Sequence, residues 1–88
     1  MFLEDELNDA CKNNADNRTI VKILRNRLPD PEKVGTKGFE NACKQIHFIW
    51  KKFCETHRKY NPDGFKEILL SACKDNESVY KHFNELLK

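Results

Sequence analysis

Cysteine and histidine are the residues of this chain best suited to metal binding or nucleophilic chemistry. Cys43 and His47 are four residues apart, and Cys54 and His57 are three apart, so each pair offers two zinc ligands from one helix face. With a rise of 1.5 Å per residue, the two pairs lie on the order of 16 Å apart and do not share an ion. The chain has no Cys-x-x-Cys pair. We therefore expect no bound metal, although Cys11, Cys73 or His82 would be the residues to complete a site.

A nucleophilic pair of Cys54 and His57 would need a helix N-terminus or a cationic neighbour to favour the thiolate. Both residues are expected in the middle of a helix on its buried side, and all four cysteines fall on apolar helix faces, where cysteine packs as a small hydrophobic residue. The two serines and three scattered glycines form neither a nucleophile motif nor a phosphate-binding loop. We expect neither catalytic activity nor a cofactor.

Positive charge is concentrated in residues 35–61, which hold six basic and two acidic residues, whereas the whole chain carries a net charge of +2. Phe48 breaks the helical pattern of this segment, since it points roughly 160° away from the centre of the apolar arc. An aromatic side chain ringed by lysines is typical of a binding hot spot or of a platform for nucleic-acid bases. The candidate partner-binding residues are Phe48, Lys44, Lys51, Lys52 and Lys59.

Phe48 has a second interpretation, because a central helix is often covered on two sides. In that case Phe48 packs under the N-terminal helical hairpin and belongs to the core. The pattern favours this second interpretation over exposure, and the free energy of unfolding after truncation would distinguish them.

Five segments have apolar residues at helical spacing, and none alternates as a strand does. We expect helices over 2–13, over a second segment capped by Asp16 or Asn17 and ended by Pro29, and over 36–60. A fourth helix follows Pro62 and ends near Lys74, and a fifth is capped by Asp75 or Asn76. Residues 29–35 are expected to form a loop. The sequence predicts one all-α domain over 1–88, a bundle of about five helices with a long central helix; a short array of helical hairpins is the alternative.

The tripeptide Ala-Cys-Lys occurs at 10–12, 42–44 and 72–74, each time three residues after Leu7, Phe39 or Leu69. The first and third copies are followed by a short break and a second helix. These helix pairs resemble those of ankyrin repeats, which implies a protein-binding scaffold. The Thr-Pro-Leu-His turn of that family is absent, and the helix from Thr36 runs through the place where a hairpin would bend. We therefore assign no family.

The N-terminus lacks the basic start and apolar run of a secretory signal, and no stretch approaches the roughly twenty apolar residues that cross a bilayer. We expect reduced thiols, a cytoplasmic or nuclear location and no membrane association. By elimination, the chain is expected to be a protein–protein interaction module that acts as an adaptor, inhibitor or regulatory subunit. The alternative is nucleic-acid binding through the third helix (Lys51, Lys52, Arg58, Lys59) and the second (Arg18, Lys22, Arg25).

Overall fold

The structure, a computed structural model, describes residues 2–58 and 63–87. Within these residues, five helices follow one another and no strand is present. This arrangement confirms the predicted all-α class and the long central helix. The helices are α1 (Leu3–Lys12), α2 (Asn17–Arg25), α3 (Pro31–Thr56), α4 (Asp63–Ala72) and α5 (Glu77–Leu86).

Short polar side chains cap three of the helices, because the first backbone N–H groups of a helix have no partner within it. Asp16 accepts a hydrogen bond from the Thr19 backbone N–H at 3.0 Å at the start of α2. Asn76 accepts one from the Val79 N–H at 3.3 Å at the start of α5. In each case the structure selects one of the two residues that the sequence offered as a cap.

The segment before α3 differs from the predicted loop over 29–35. Asp30 accepts a hydrogen bond from the Glu32 backbone N–H at 3.0 Å, and Pro31 occupies the start of the helix. Proline suits this position because its missing N–H is not needed there. Gly35 then breaks the helix with φ 76° and ψ 169°. The long helix accordingly continues from Thr36, as expected, but it follows a helical turn rather than a loop.

The end of α3 was also predicted incorrectly. The helix ends at Thr56, and His57 leaves helical geometry with φ −113° and ψ 84°. The His57 backbone N–H still bonds to the Phe53 carbonyl at 2.8 Å, so His57 caps the helix rather than lying within it. The last two residues of the predicted helix, Lys59 and Tyr60, lie outside the described residues.

Helices α1, α4 and α5 pack directly against α3. Its inner face buries Phe39, Cys43, Ile46, Trp50, Phe53 and Cys54, the side predicted from the apolar pattern. Contacts link α3 to α1, α4 and α5, and α2 to α1 and α4. In a hairpin array each unit contacts only its neighbours, so these contacts favour the bundle over the array. The radius of gyration, 12.4 Å, is close to the value of about 12 Å expected for a compact chain of this length.

Candidate functional site

The side of α3 opposite the core is exposed to solvent. Positions three and four apart share one side of a helix, and the residues on this side form what we call the α3 outer face. It consists of Asn41, Lys44, Gln45, Phe48, Lys51, Lys52 and Glu55, all of them exposed. Four of the five candidate binding residues, Phe48, Lys44, Lys51 and Lys52, are thus brought together on one surface, while Lys59 lies outside the described residues.

Phe48 is 60% exposed, so the favoured expectation that it packs under the N-terminal hairpin was wrong. Helix α1 contacts α3, but its Glu4 and Asn8 line a groove together with Phe48 and do not bury the ring. The ring of Phe48 lines this groove. The ammonium nitrogen of Lys52 lies 5.6 Å from the centre of the Phe48 ring, within the range of a cation–π contact.

The groove between α1 and α3 has a volume of about 410 Å³. The buried Phe53 and the half-buried Ile49 give it an apolar base, and the half-buried His57 also lines it. Exposed side chains form its sides: Glu4 and Asn8 from α1, and Phe48, Lys52 and Thr56 from α3. The groove therefore combines an apolar interior with charge of both signs at its edges, with the positive charge on α3.

The positive charge of the α3 outer face comes from Lys44, Lys51 and Lys52, while Glu55 opposes it. His47 is half-buried beside this face. Burial and, to a lesser extent, the positive charge of Lys51 lower the pKa of His47, because both disfavour the protonated ring. The charge of the face therefore rests on the lysines at neutral pH.

The basic residues of α2 form a second exposed row, Arg18, Lys22 and Arg25. Arg25 donates a hydrogen bond from Nε to the carbonyl of Ala72 at 3.4 Å, which ties it to the end of α4. The principal packing partners of α2 are α1 and α4, whereas the lysine-rich face belongs to α3. The two basic rows thus lie on helices that are not principal neighbours.

Three of the four cysteines are buried, as predicted for small apolar side chains. Burial raises the pKa of Cys43 to about 11, of Cys54 to about 12 and of Cys73 to about 11, since a thiolate loses its hydration in the core. The Cys73 thiol also donates to the carbonyls of Leu69 and Leu70 at 3.5 Å. All four cysteines lie in the described part of the chain, and none of them forms a disulfide.

The remaining cysteine, Cys11, forms a contact that the sequence did not indicate. Its Sγ lies 3.4 Å from Nδ1 of His57, although 46 residues separate the two. His57 is half-buried at the end of α3, not mid-helix as expected, and it pairs with Cys11 rather than with Cys54. Among residues 2–58 and 63–87, no group of three or more His, Cys, Asp or Glu side chains is placed to hold a metal ion.

Comparison with known proteins adds no assignment. No protein-family model, curated protein or solved structure matches this chain. The resemblance of its helix pairs to ankyrin repeats therefore has no further support. Within the described ranges, no helix combines the length and apolar character needed to cross a membrane.

Proposed function

We propose that this chain is a small helical protein–protein interaction module that binds its partner through the α3 outer face and the adjoining groove. The observation that carries the proposal is the exposure of Phe48. The other three aromatic residues of α3, Phe39, Trp50 and Phe53, are at most 8% exposed. An aromatic side chain left in water forgoes the free energy that burial of its apolar surface would supply, and contact with a partner recovers it.

The chemistry of the surface favours an acidic, amphipathic segment as the occupant. The apolar base of the groove, made by Ile49 and Phe53, accommodates an apolar anchor next to Phe48. Lys44, Lys51 and Lys52 surround that position and attract carboxylates, which orients the partner and speeds its association. Glu4 lines the opposite side of the groove, so the acidic residues of the partner would lie toward α3.

We propose a binding role without catalysis, as an adaptor, inhibitor or regulatory subunit. The buried thiols support this, because raised pKa values keep Cys43, Cys54 and Cys73 protonated and unreactive at neutral pH. Reduced thiols are also what a reducing compartment maintains, so we propose that the module acts in the cytoplasm or nucleus.

Nucleic-acid binding is the second candidate, supported by the combination of an exposed aromatic ring with lysines on the α3 outer face. The acidic Glu55 on the same face and the contact of Arg25 with Ala72 count against it. A flat, uniformly basic surface would suit a phosphate backbone better than a groove with an apolar base. We therefore treat nucleic acid as an alternative outcome of the binding test.

For the test, the wild-type chain is used as bait to purify a partner from the native cells. The affinity of this partner is then measured for the wild type and for two matched variants. Phe48→Ala is the test variant and Tyr80→Ala the control, because Tyr80 is an exposed aromatic residue on α5, 38% exposed. We expect Phe48→Ala to weaken binding by about 2 kcal/mol, roughly 30-fold, in calorimetry. Tyr80→Ala should bind like the wild type. Equal affinities of the wild type and Phe48→Ala would contradict the proposal.

The same titrations identify the nucleic-acid alternative. Protein binding in the groove should lose part of its affinity with salt, since the lysines lie at the rim of an apolar contact. Nucleic-acid binding should instead follow a log–log salt dependence with a slope of roughly 0.7 to 0.9 per neutralised phosphate. In that case Lys51→Gln with Lys52→Gln should flatten the slope, and single-stranded oligonucleotides should compete with the partner.

A further inference from the structure

Two side chains that are 46 positions apart in the sequence meet beside the groove, which one of them lines. Cys11 lies in the last turn of α1, and His57 caps the C-terminus of α3. The Cys11 Sγ lies 3.4 Å from His57 Nδ1, a distance at which a thiol donates a hydrogen bond to an imidazole nitrogen. A nucleophile within hydrogen-bond reach of a base is the arrangement that activates a weak nucleophile.

The His57 ring is held in place by its own packing. Its centre lies 4.6 Å from that of Phe53, with an angle of 44° between the ring planes. Phe53 is buried, so the imidazole is fixed from the core side while its Nδ1 faces Cys11. In the tautomer that carries its proton on Nε2, Nδ1 is an acceptor and is able to take the thiol proton.

Access distinguishes Cys11 from the other cysteines. Cys43, Cys54 and Cys73 are at most 2% exposed, whereas Cys11 is half-buried at the surface of the core. His57 lines the groove of about 410 Å³, so one member of the pair borders open space. Cys11 is thus the most exposed of the four cysteines, and the base beside it borders the groove, whereas the other three thiols lie in the core.

We propose that Cys11 is a thiol modification site that forms mixed disulfides with small-molecule disulfides, with His57 as the base. His57 Nδ1 takes the thiol proton as Cys11 Sγ attacks one sulfur of the disulfide. A new S–S bond forms while the disulfide's own S–S bond breaks. The departing thiolate takes the proton back from the imidazolium, so the products are one mixed disulfide on Cys11 and one small thiol. The small disulfide is the oxidant, and no other reactant is needed.

The first test maps the reactive thiol in the folded wild-type chain. An aromatic disulfide that releases coloured thionitrobenzoate is added, and the release is followed alongside intact mass and peptide mapping. We expect one fast equivalent located on Cys11 and slow reaction of the remaining three of the four cysteines. Cys11→Ser should abolish the fast phase, and denaturant should expose all thiols at once. A fast phase on another cysteine, or none, would overturn the proposal.

The second test isolates the role of His57. His57→Asn places an amide oxygen near the position of Nδ1, which accepts a hydrogen bond but does not take up the proton. We expect the fast phase to slow by at least about tenfold near neutral pH, and the deficit to shrink as hydroxide replaces the imidazole at higher pH. His82→Asn, which makes the same change at a half-buried histidine of α5 packed on Phe39, should react like the wild type.

A structural effect of the His57 substitution is distinguishable from loss of the base. If His57→Asn unfolded the chain, all four thiols would react rapidly, and His57→Gln would then be measured instead. A folded variant, judged by its melting temperature, that modified Cys11 at the wild-type rate would show that His57 is not the base. The mapping of the wild type does not depend on either variant, nor on the proposed binding function.

Discussion

Burial divides the four cysteines into two groups with different chemistry. Cys43, Cys54 and Cys73 lie in the core, where the absence of water disfavours the thiolate and raises their pKa values. Cys11 is half-buried and contacts the imidazole of His57. The first group therefore contributes packing to the core, and the second is the position at which thiol chemistry is expected.

The raised pKa values make stability depend on pH in a defined direction. An unfolded thiol ionises near 9.0, whereas that of Cys54 ionises near 12 in the folded chain. Its contribution is fully present below pH 9.0 and is lost as the pH rises toward the folded value. We expect the free energy of unfolding to fall by about 1.4 kcal/mol per pH unit for each such thiol in this window, measured by urea unfolding with a reductant present.

Two variants distinguish the contribution of the Cys54 thiol to this pH dependence from the contributions of other groups that titrate in the alkaline range. Cys54→Ala should reduce the pH slope of the free energy of unfolding by the contribution of one thiol, about 1.4 kcal/mol per pH unit. Leu69→Ala, which truncates another fully buried side chain, should lower stability at every pH and leave the slope unchanged. A slope that Cys54→Ala does not alter would show that this thiol is not kept protonated by the fold.

The residues that carry the candidate site were only partly predictable from the sequence. The sequence placed Phe48 and the neighbouring lysines on the polar side of α3, because the side of a helix on which a residue lies follows from local spacing alone. Whether Phe48 is covered depends on where α1 lies, and local spacing holds no information about that. The contact of Cys11 with His57 depends on the same helix placement and on the end of α3 at Thr56, so the sequence favoured pairings within one helix instead.

At the scale of elements, α3 is the helix that positions the site, and Gly35 determines where its long part begins. The φ of 76° and ψ of 169° at Gly35 lie in a region that is essentially restricted to glycine. This residue breaks the helix between the turn that starts at Pro31 and the long segment from Thr36. Glycine is thus required there by the backbone and not by crowding, since a Cβ added at Gly35 would meet nothing within 4 Å.

Two glycine substitutions test this role. We expect Gly35→Ala to lower the free energy of unfolding by about 1 to 3 kcal/mol through backbone strain. Gly38→Ala is the control, because Gly38 is helical and alanine gains about 1 kcal/mol of helix propensity there. The new Cβ would approach Val34 Cβ to 3.2 Å, and the exposed Val34 is able to yield, so a change within about 1 kcal/mol is expected.

Chemical denaturation of both variants measures the difference. If the two substitutions had equal effects, the backbone at Gly35 would not require glycine.

The two ends of α3 show how far the sequence predicted the bounds of the elements. Features with a local chemical cause were predicted, such as a cap at Asp16 or Asn17 and the start of the long helix after Gly35. The end of α3 was not, because His57 and Tyr60 continue the apolar phase of the sequence without a breaker before Pro62.

At the scale of the whole molecule, charge and packing are separated across α3. Its inner side holds the core around Trp50, which is fully buried, and its outer face holds the lysines of the most basic segment of the chain. The fold class followed from helical spacing alone. The pairing of α2 with α4 was not foreseen, because contacts between helices distant in sequence leave no periodic signal.

The measurement that tests the proposed binding face most directly is the free energy of unfolding of Phe48→Ala beside that of Trp50→Ala. Both positions are aromatic residues of one helix, two residues apart. We expect a loss of about 3 to 5 kcal/mol for Trp50→Ala and less than about 1 kcal/mol for Phe48→Ala, since the fold does not cover Phe48. A loss of about 3 kcal/mol or more for Phe48→Ala would place its side chain in the core and contradict the α3 outer face as a binding surface.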